Sequence, residues 1–269
     1  MRRFLCLLGF LSLYASLPAQ EFPFPGIGEY WTIGVGVPIA TTRDRAHSPL
    51  AYRGWGLRFW VAYEDIRPRS LWRIETSLNS IGMKAYVRPQ QDMRRKAQLR
   101  DFQFGFGYYH RLDDGRIDDN NQYAGSRLSI RLNNRQYPLP SNNTSSLLLS
   151  ASIDLGFTDR RRLDNNRWTL TSSVDVPILT ALLRPAYIGI IPIVDTPDPK
   201  LGDIIQRMRL VGPKHFVHID FRTRADHAQR PWRSDRILYH WDLMYTDLPA
   251  GKPMLSTTSG LGYGYRVLQ

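Results

Sequence analysis

The sequence predicts an all-β, antiparallel fold, and three observations carry that prediction. Apolar and polar residues alternate with a period of two in run after run. Turn residues such as "DIRPR", "DDG", "DNN" and "LPAG" separate the runs. The polar clusters come in two lengths, short at 65–69 and 158–166, long at 41–53, 80–98 and 133–144. Short connections alternating with long ones are expected of an up-and-down barrel that crosses a membrane.

The chain opens "MRRFLCLLGFLSLYASLPAQ": two arginines, a compact apolar stretch, then a plausible cut near Ala19. This is the layout of a secretory signal peptide over residues 1–19, too short in its apolar part for an ordinary spanning helix. Cys6 leaves with it, so residues 20–269 carry no thiol chemistry and no disulfide, and read as one domain without a linker. The net charge is +12, or +10 once Arg2 and Arg3 are removed. Only five of the 36 basic residues are Lys. Arginine suits planar, bidentate pairing with carboxylates and phosphates. The charge forms no basic run or helix, which speaks against nucleic acid.

The strands follow in order. "WTIGVGVPI" sets Trp31, Ile33, Val35, Val37 and Ile39 against Thr32, Gly34 and Gly36. "GWGLRFWVAYE" sets Trp55, Leu57, Phe59, Val61 and Tyr63 against Gly56, Arg58, Ala62 and Glu64. "SLWRIETSLN" places Arg73, Glu75, Ser77 and Asn79 on its polar face, and "RDFQFGFGYYH" opposes four aromatics, Phe102 to Tyr108, to Gln103, Gly105 and Gly107. "SRLSIRLN" has Arg127, Ser129 and Arg131 on one side, and "LLLSASIDLGF" has Ser150, Ser152, Asp154 and Gly156. "RWTLTSSVDV" follows with Thr169, Thr171, Ser173 and Asp175. In "HFVHIDFRTRA" the polar row is His218, Asp220, Arg222 and Arg224; in "RILYHWDLMY" it is Arg236, His240 and Asp242. The last run, "GLGYGYRV", opposes Leu261, Tyr263, Tyr265 and Val267 to three glycines and Arg266. Residues 174–194 are apolar on both faces, but Asp175, Arg184 and three prolines oppose a helix; two strands around a turn, or a strand and an apolar lid, fit better. "LGDIIQRMRLV" reads as a further strand or a short helix capped by Asp203. Twelve strands are favoured, with ten as the alternative.

A soluble sandwich would show the same alternation, burying the apolar row instead of turning it to lipid. Three features favour lipid. Aromatics recur near strand ends on the apolar face (Trp31, Trp55, Tyr63, Trp72, Trp168, Tyr245), as in the girdles of membrane barrels. The polar face is rich in Gly, Ser and Arg paired with acids, the composition of a water-filled or salt-bridged interior. The chain also ends within a strand of alternate aromatics, "SGLGYGYRVLQ". In these respects residues 27–269 resemble bacterial outer-membrane β-barrels, a likeness of class only, with a Bacteroidota-like flavour in "PAQ" and the Arg, Asn and Tyr content. The match departs at the end, where such barrels often finish on Phe and this chain on Gln269. The resemblance implies export to the cell outer membrane, contact with its lipid, and possible envelope-protein partners.

On this reading Arg58, Arg73, Arg127, Arg131, Arg222, Arg224 and Arg266 line the lumen and would favour small anionic solutes if it conducts. His218 with Asp220, and His240 with Asp242, lie two apart on one face, so a carboxylate could orient an imidazole for base catalysis. The same pairs read more simply as a lattice in which acids neutralise surplus arginine. No nucleophile elbow, zinc helix or phosphate loop is present, and no cofactor or metal is implied. The expectations are therefore a narrow Arg-lined pore or a closed scaffold, with a barrel enzyme or a soluble sandwich as alternatives; the balance leans away from an enzyme. An open lumen would also tolerate Gln103→Arg or Ser152→Arg far better than the lipid row tolerates arginine.

Overall fold

The fold is given by a computed structural model that describes residues 27–46, 48, 50–85, 96–112, 120–137, 145–163, 167–184, 207–230, 233–248 and 251–268. The predicted leader lies outside the described residues. Eleven strands form: β1 (Gly28–Asp44), β2 (Ala51–Ile66), β3 (Ser70–Ala85), β4 (Lys96–Arg111), β5 (Asn120–Gln136), β6 (Ser145–Arg162), β7 (Trp168–Leu183), β8 (Arg209–Val211), β9 (Phe216–Arg230), β10 (Arg233–Thr246) and β11 (Met254–Leu268). Each neighbour pairs antiparallel; β1 meets both β2 and β11, and β6 meets β7, so one sheet closes on itself. Closure overturns the sandwich, which needs two sheets.

The barrel has ten strands, with β8 outside the cycle, and the favoured count of twelve is corrected. The reason lies in β7. Residues 174–183, read as the start of a separate strand, continue the run begun at Trp168. A bulge makes the continuation possible: Ile153 faces Leu179 and Asp154 faces Pro177, leaving Ile178 extra. Ile178 and Leu179 are both exposed in consequence, which is why the segment looked apolar on both faces. The proline sits where a bulge tolerates its missing donor. β7 pairs with β9 only as far as Asp175, and β8 takes up its edge beyond; residues 185–206 lie outside the described residues, and the described end of "LGDIIQRMRLV" supplies the three residues of β8.

The faces fall as the alternation requires. Ile33, Leu57, Phe59, Leu128, Leu155 and Leu261 are exposed on the outside, while the polar rows point in and are buried. Phe104 and Ile153 also point outward, and Gln103 and Ser152 inward. On β1 the apolar row Trp31–Ile39 covers nine residues, the span that a tilted strand of about 9–11 residues needs to cross a bilayer. An aromatic row sits at the end bearing the short connections: Trp31 packs on Tyr63 at 5.2 Å between ring centres, and Trp72 on Tyr108 at 4.5 Å. Both described ends of the chain lie at this turn end, and the connections after β1, β3, β5, β7 and β10 lie at the opposite, loop end. In the β10–β11 connection Gly251 takes φ 77°, the left-handed value that glycine accepts without strain.

The inward glycines make room for large side chains from neighbouring strands. Trp60 of β2 is buried over Gly34 of β1 and Gly262 and Gly264 of β11, and a Cβ at Gly34 would run into its indole. Gly105 receives the Arg127 guanidinium, and Gly107 and Gly156 receive the ring of Tyr109. Glycine rows that suggested an open channel are thus the sockets of a filled one. Gly34→Ala is expected to cost about 1–3 kcal/mol by overpacking. Adding Trp60→Leu should return part of that loss, a coupling readable by urea unfolding of the two single variants and the double. Additive effects would show that the indole and the glycine wall do not meet.

Candidate functional site

The lumen is an ion-pair lattice built on β9, whose inward row His218, Asp220, Arg222, Arg224, Asp226 is charged or ionisable at each step. Strand period puts these groups on one side, and closure brings the opposing rows of β2, β3, β5, β7 and β10 within reach. Among the described residues twelve arginines and ten carboxylates are buried, and no lysine is. Isolated burial of such groups costs several kcal/mol per ion, so each must find partners.

Near the turn end Glu64 accepts from Arg73 at 3.1 Å, Arg224 at 2.7 Å and Arg236 at 2.9 Å. Arg236 forks onto Asp226 at 2.6 and 3.0 Å, and Arg266 lies 3.4 Å from Asp226 and 3.5 Å from Glu64 with its guanidinium over the Tyr30 ring. At mid-barrel Arg222 pairs with Glu75, Asp175 and Asp220. Arg127 donates to Asp175 at 3.1 Å and to Asp220 at 2.9 Å, and the Tyr109 hydroxyl donates to Asp175 at 2.9 Å. Nearer the loop end Arg131 joins Asp101 at 2.7 Å to Asp242 at 2.5 Å. Asn79, Gln103 and Asn133 complete the shell of Asp101. Last, Asp44 holds Arg135 at 3.1 Å and Arg184 at 2.5 Å.

The two histidine pairs exist, but crossed. Asp220 and Asp242 face each other across the β9–β10 pair, and each imidazole reaches diagonally to the other strand's carboxylate. His218 Nε2 is 2.8 Å from Asp242, and His240 Nε2 is 3.2 Å from Asp220 without hydrogen-bond alignment. The same-strand pairing expected from the two-residue spacing is therefore corrected: diagonal cross-strand neighbours approach more closely than the carboxylate two residues along. Both imidazoles are enclosed in the lattice; Arg131 also stands 2.9 Å from His218 Nε2. Among the described residues no three metal-ligating side chains converge.

All seven predicted lumen arginines point inward and are buried. Arg58 differs from the other six in having no ion pair among the described residues: its one hydrogen bond goes to Ser77 at 3.3 Å, leaving Nε and Nη1 without a partner there. Arg236 stands in the polar row already read for its strand; Arg111, Arg135 and Arg160 extend the rows, and carrying the same alternation four positions on from Gly107, Arg131 and Gly156 reaches each of them. Arg184 gives no such signal, because the β7 bulge shifts the phase before it.

Apolar clusters cap both mouths. Tyr52, Ile81, Met83, Leu99 and Tyr137 close half of the loop end, and Leu148, Leu182, Phe216, Met244 and Met254 the other half. Tyr30, Ile66, Leu71, Tyr109 and Tyr123 cluster at the turn end. Among the described residues, a cavity among Glu64, Arg73 and Arg236 and another beside Arg58, Trp60 and His240 each offer about 10 Å³, the lower limit for a single water. The water-filled alternative for the interior gives way to the salt-bridged one.

No protein-family model and no curated protein matches the chain. Among solved structures it is similar to the translocator domain of the autotransporter NalP from Neisseria meningitidis, with 8% identity over 89% of this chain and 88% of that one and a TM-score of 0.43. It is likewise similar to an outer membrane channel from Pseudomonas putida F1 (8% identity, 93% and 100% covered, TM-score 0.36). A third is the outer membrane protein OprG from Pseudomonas aeruginosa (8%, 92% and 100%, 0.34).

Proposed function

We propose that this chain is an integral outer-membrane barrel that works as a closed scaffold, presenting its loop end to other components of the envelope. One observation carries the reading: the lumen is filled along its length by paired charges, Trp60 and Tyr109, and capped by apolar clusters. A pore for small anionic solutes needs a continuous wet path, whereas the free volume found is of single-water size. Six of the seven predicted lumen arginines are paired with acids rather than offered to a solute, Arg58 being the exception. The apolar exterior supports the membrane part of the proposal, and export through a cleaved leader belongs to it. The enclosed, crossed histidine pairs give no support to an enzyme.

Planar-bilayer recording of the refolded protein tests this. The expected result is a membrane without steady conductance, together with a folded band that shifts on boiling and resists carbonate extraction. Steady, anion-preferring channels that lose their preference in Arg222→Gln/Arg224→Gln would overturn the scaffold and restore the pore. Recovery as a folded protein without detergent would overturn the membrane assignment itself.

A further inference from the structure

The two rims of the barrel treat charge differently. At the turn end, four outward ionisable groups are matched: Arg67 with Asp65 at 2.8 Å, Arg161 with Asp159 at 2.7 Å, Tyr63 with Glu29 at 2.8 Å, Tyr263 with Asp235 at 2.8 Å. At the loop end of β1–β4 the outward ionisable residues of the strands are Arg43, Arg53, Lys84, Lys96 and Arg100, all exposed. Asp44 and Asp101, the acids of these strand ends, point inward and are buried. None of the five cations has an ion pair among the described residues. The register sets three of them side by side, Arg53 opposite Lys84 and Lys84 opposite Lys96. Like charges directly opposite on a sheet repel.

The depth of the sector identifies what relieves that repulsion. Arg53 stands two residues beyond Trp55, which is 68% exposed, and Arg100 two beyond Phe102. Two strand residues are about 7 Å along the strand, which carries a side chain from the edge of the hydrocarbon to the headgroups. The cations follow the membrane boundary over four adjacent strands as an extended exposed row, a shape that offers a free anion little enclosure. A layer of lipid phosphates matches it in height and in charge. We propose that the outward basic sector of Arg43, Arg53, Lys84, Lys96 and Arg100 binds phosphate groups of anionic lipids in the leaflet at the loop end. The proposal rests on the membrane-spanning reading above.

The test places the full barrel in phosphatidylcholine vesicles containing a minority of phosphatidic acid, with spin-labelled lipids reporting the population held at the protein's perimeter. The protein should prefer phosphatidic acid by roughly threefold or more. Arg53→Gln/Lys84→Gln/Lys96→Gln/Arg100→Gln should bring the ratio near one, while Arg67→Gln/Arg161→Gln at the other rim should leave it unchanged. An unchanged preference in the first variant, or its loss in the second, would overturn the proposal. Erasure of the wild-type preference by millimolar inorganic phosphate would reassign the sector to free anions and overturn the lipid. Wild-type protein that carbonate strips from the vesicles would bring down the spanning reading and this one together; inserted protein without preference brings down this one alone.

Discussion

Replacing Arg222 by Met is expected to lower the stability of the folded barrel by about 3–5 kcal/mol. Arg222 is 1% exposed and is shared by Glu75, Asp175 and Asp220. Its removal leaves buried carboxylates with less compensation, and Asp175 and Asp220 then depend on Arg127. Urea unfolding in phospholipid vesicles, followed by tryptophan emission, measures the loss. Arg222→Met with Glu75→Gln should recover part of it, since one carboxylate is neutralised with the cation. Arg161→Gln, which breaks an exposed pair with Asp159, should change stability by less than about 1 kcal/mol. If the buried and exposed variants behaved alike, the lattice would be hydrated and the lumen open.

The second large effect lies on the other face. Phe104→Arg and Ile153→Arg should each cost about 2–4 kcal/mol in a bilayer, because both sit at the middle of their strands' outward apolar rows. For Gln103→Arg and Ser152→Arg, expected to be tolerated far better in an open lumen, the structure points to a jammed interior. Gln103 is held by Asp101, and Ser152 by Thr180 at 2.9 Å, and both are buried. Arginine at either position overpacks, at about 1–3 kcal/mol. Lipid composition separates the two causes. Thinning the bilayer should soften the penalty at Ile153, which depends on depth, and leave that at Ser152 unchanged. The same response at both positions would mean that the rows do not face different media.

The faces of the strands were legible except in the second half of β7, because a two-residue period needs only local sequence. The count was not, because Ile178 breaks that period by one position and no composition marks a bulge. The lumen arginines were legible as a row; their partners were not. Whether Arg224 meets Glu64 depends on the register of every strand between β2 and β9, and on closure, and neither is written in a window of ten residues. Glycine misled for the same reason. At Gly34 and Gly262 the missing side chain reads locally as space, and only the neighbouring strand supplies the Trp60 that fills it.

The lattice on β9 bears on the order of assembly. Glu64 comes early in the chain, yet its partners Arg224 and Arg236 lie 160 and 172 residues later. Until β9 and β10 arrive, the carboxylates of β2 and β3 lack most of their countercharge, and a half-made sheet in hydrocarbon would carry them bare. Contacts so distant in sequence also arrive slowly. Dehydration of the interior is thus tied to closure of the ring. A concerted insertion, in which the last strands neutralise the first, leaves fewer charges bare than a hairpin-by-hairpin descent into the bilayer.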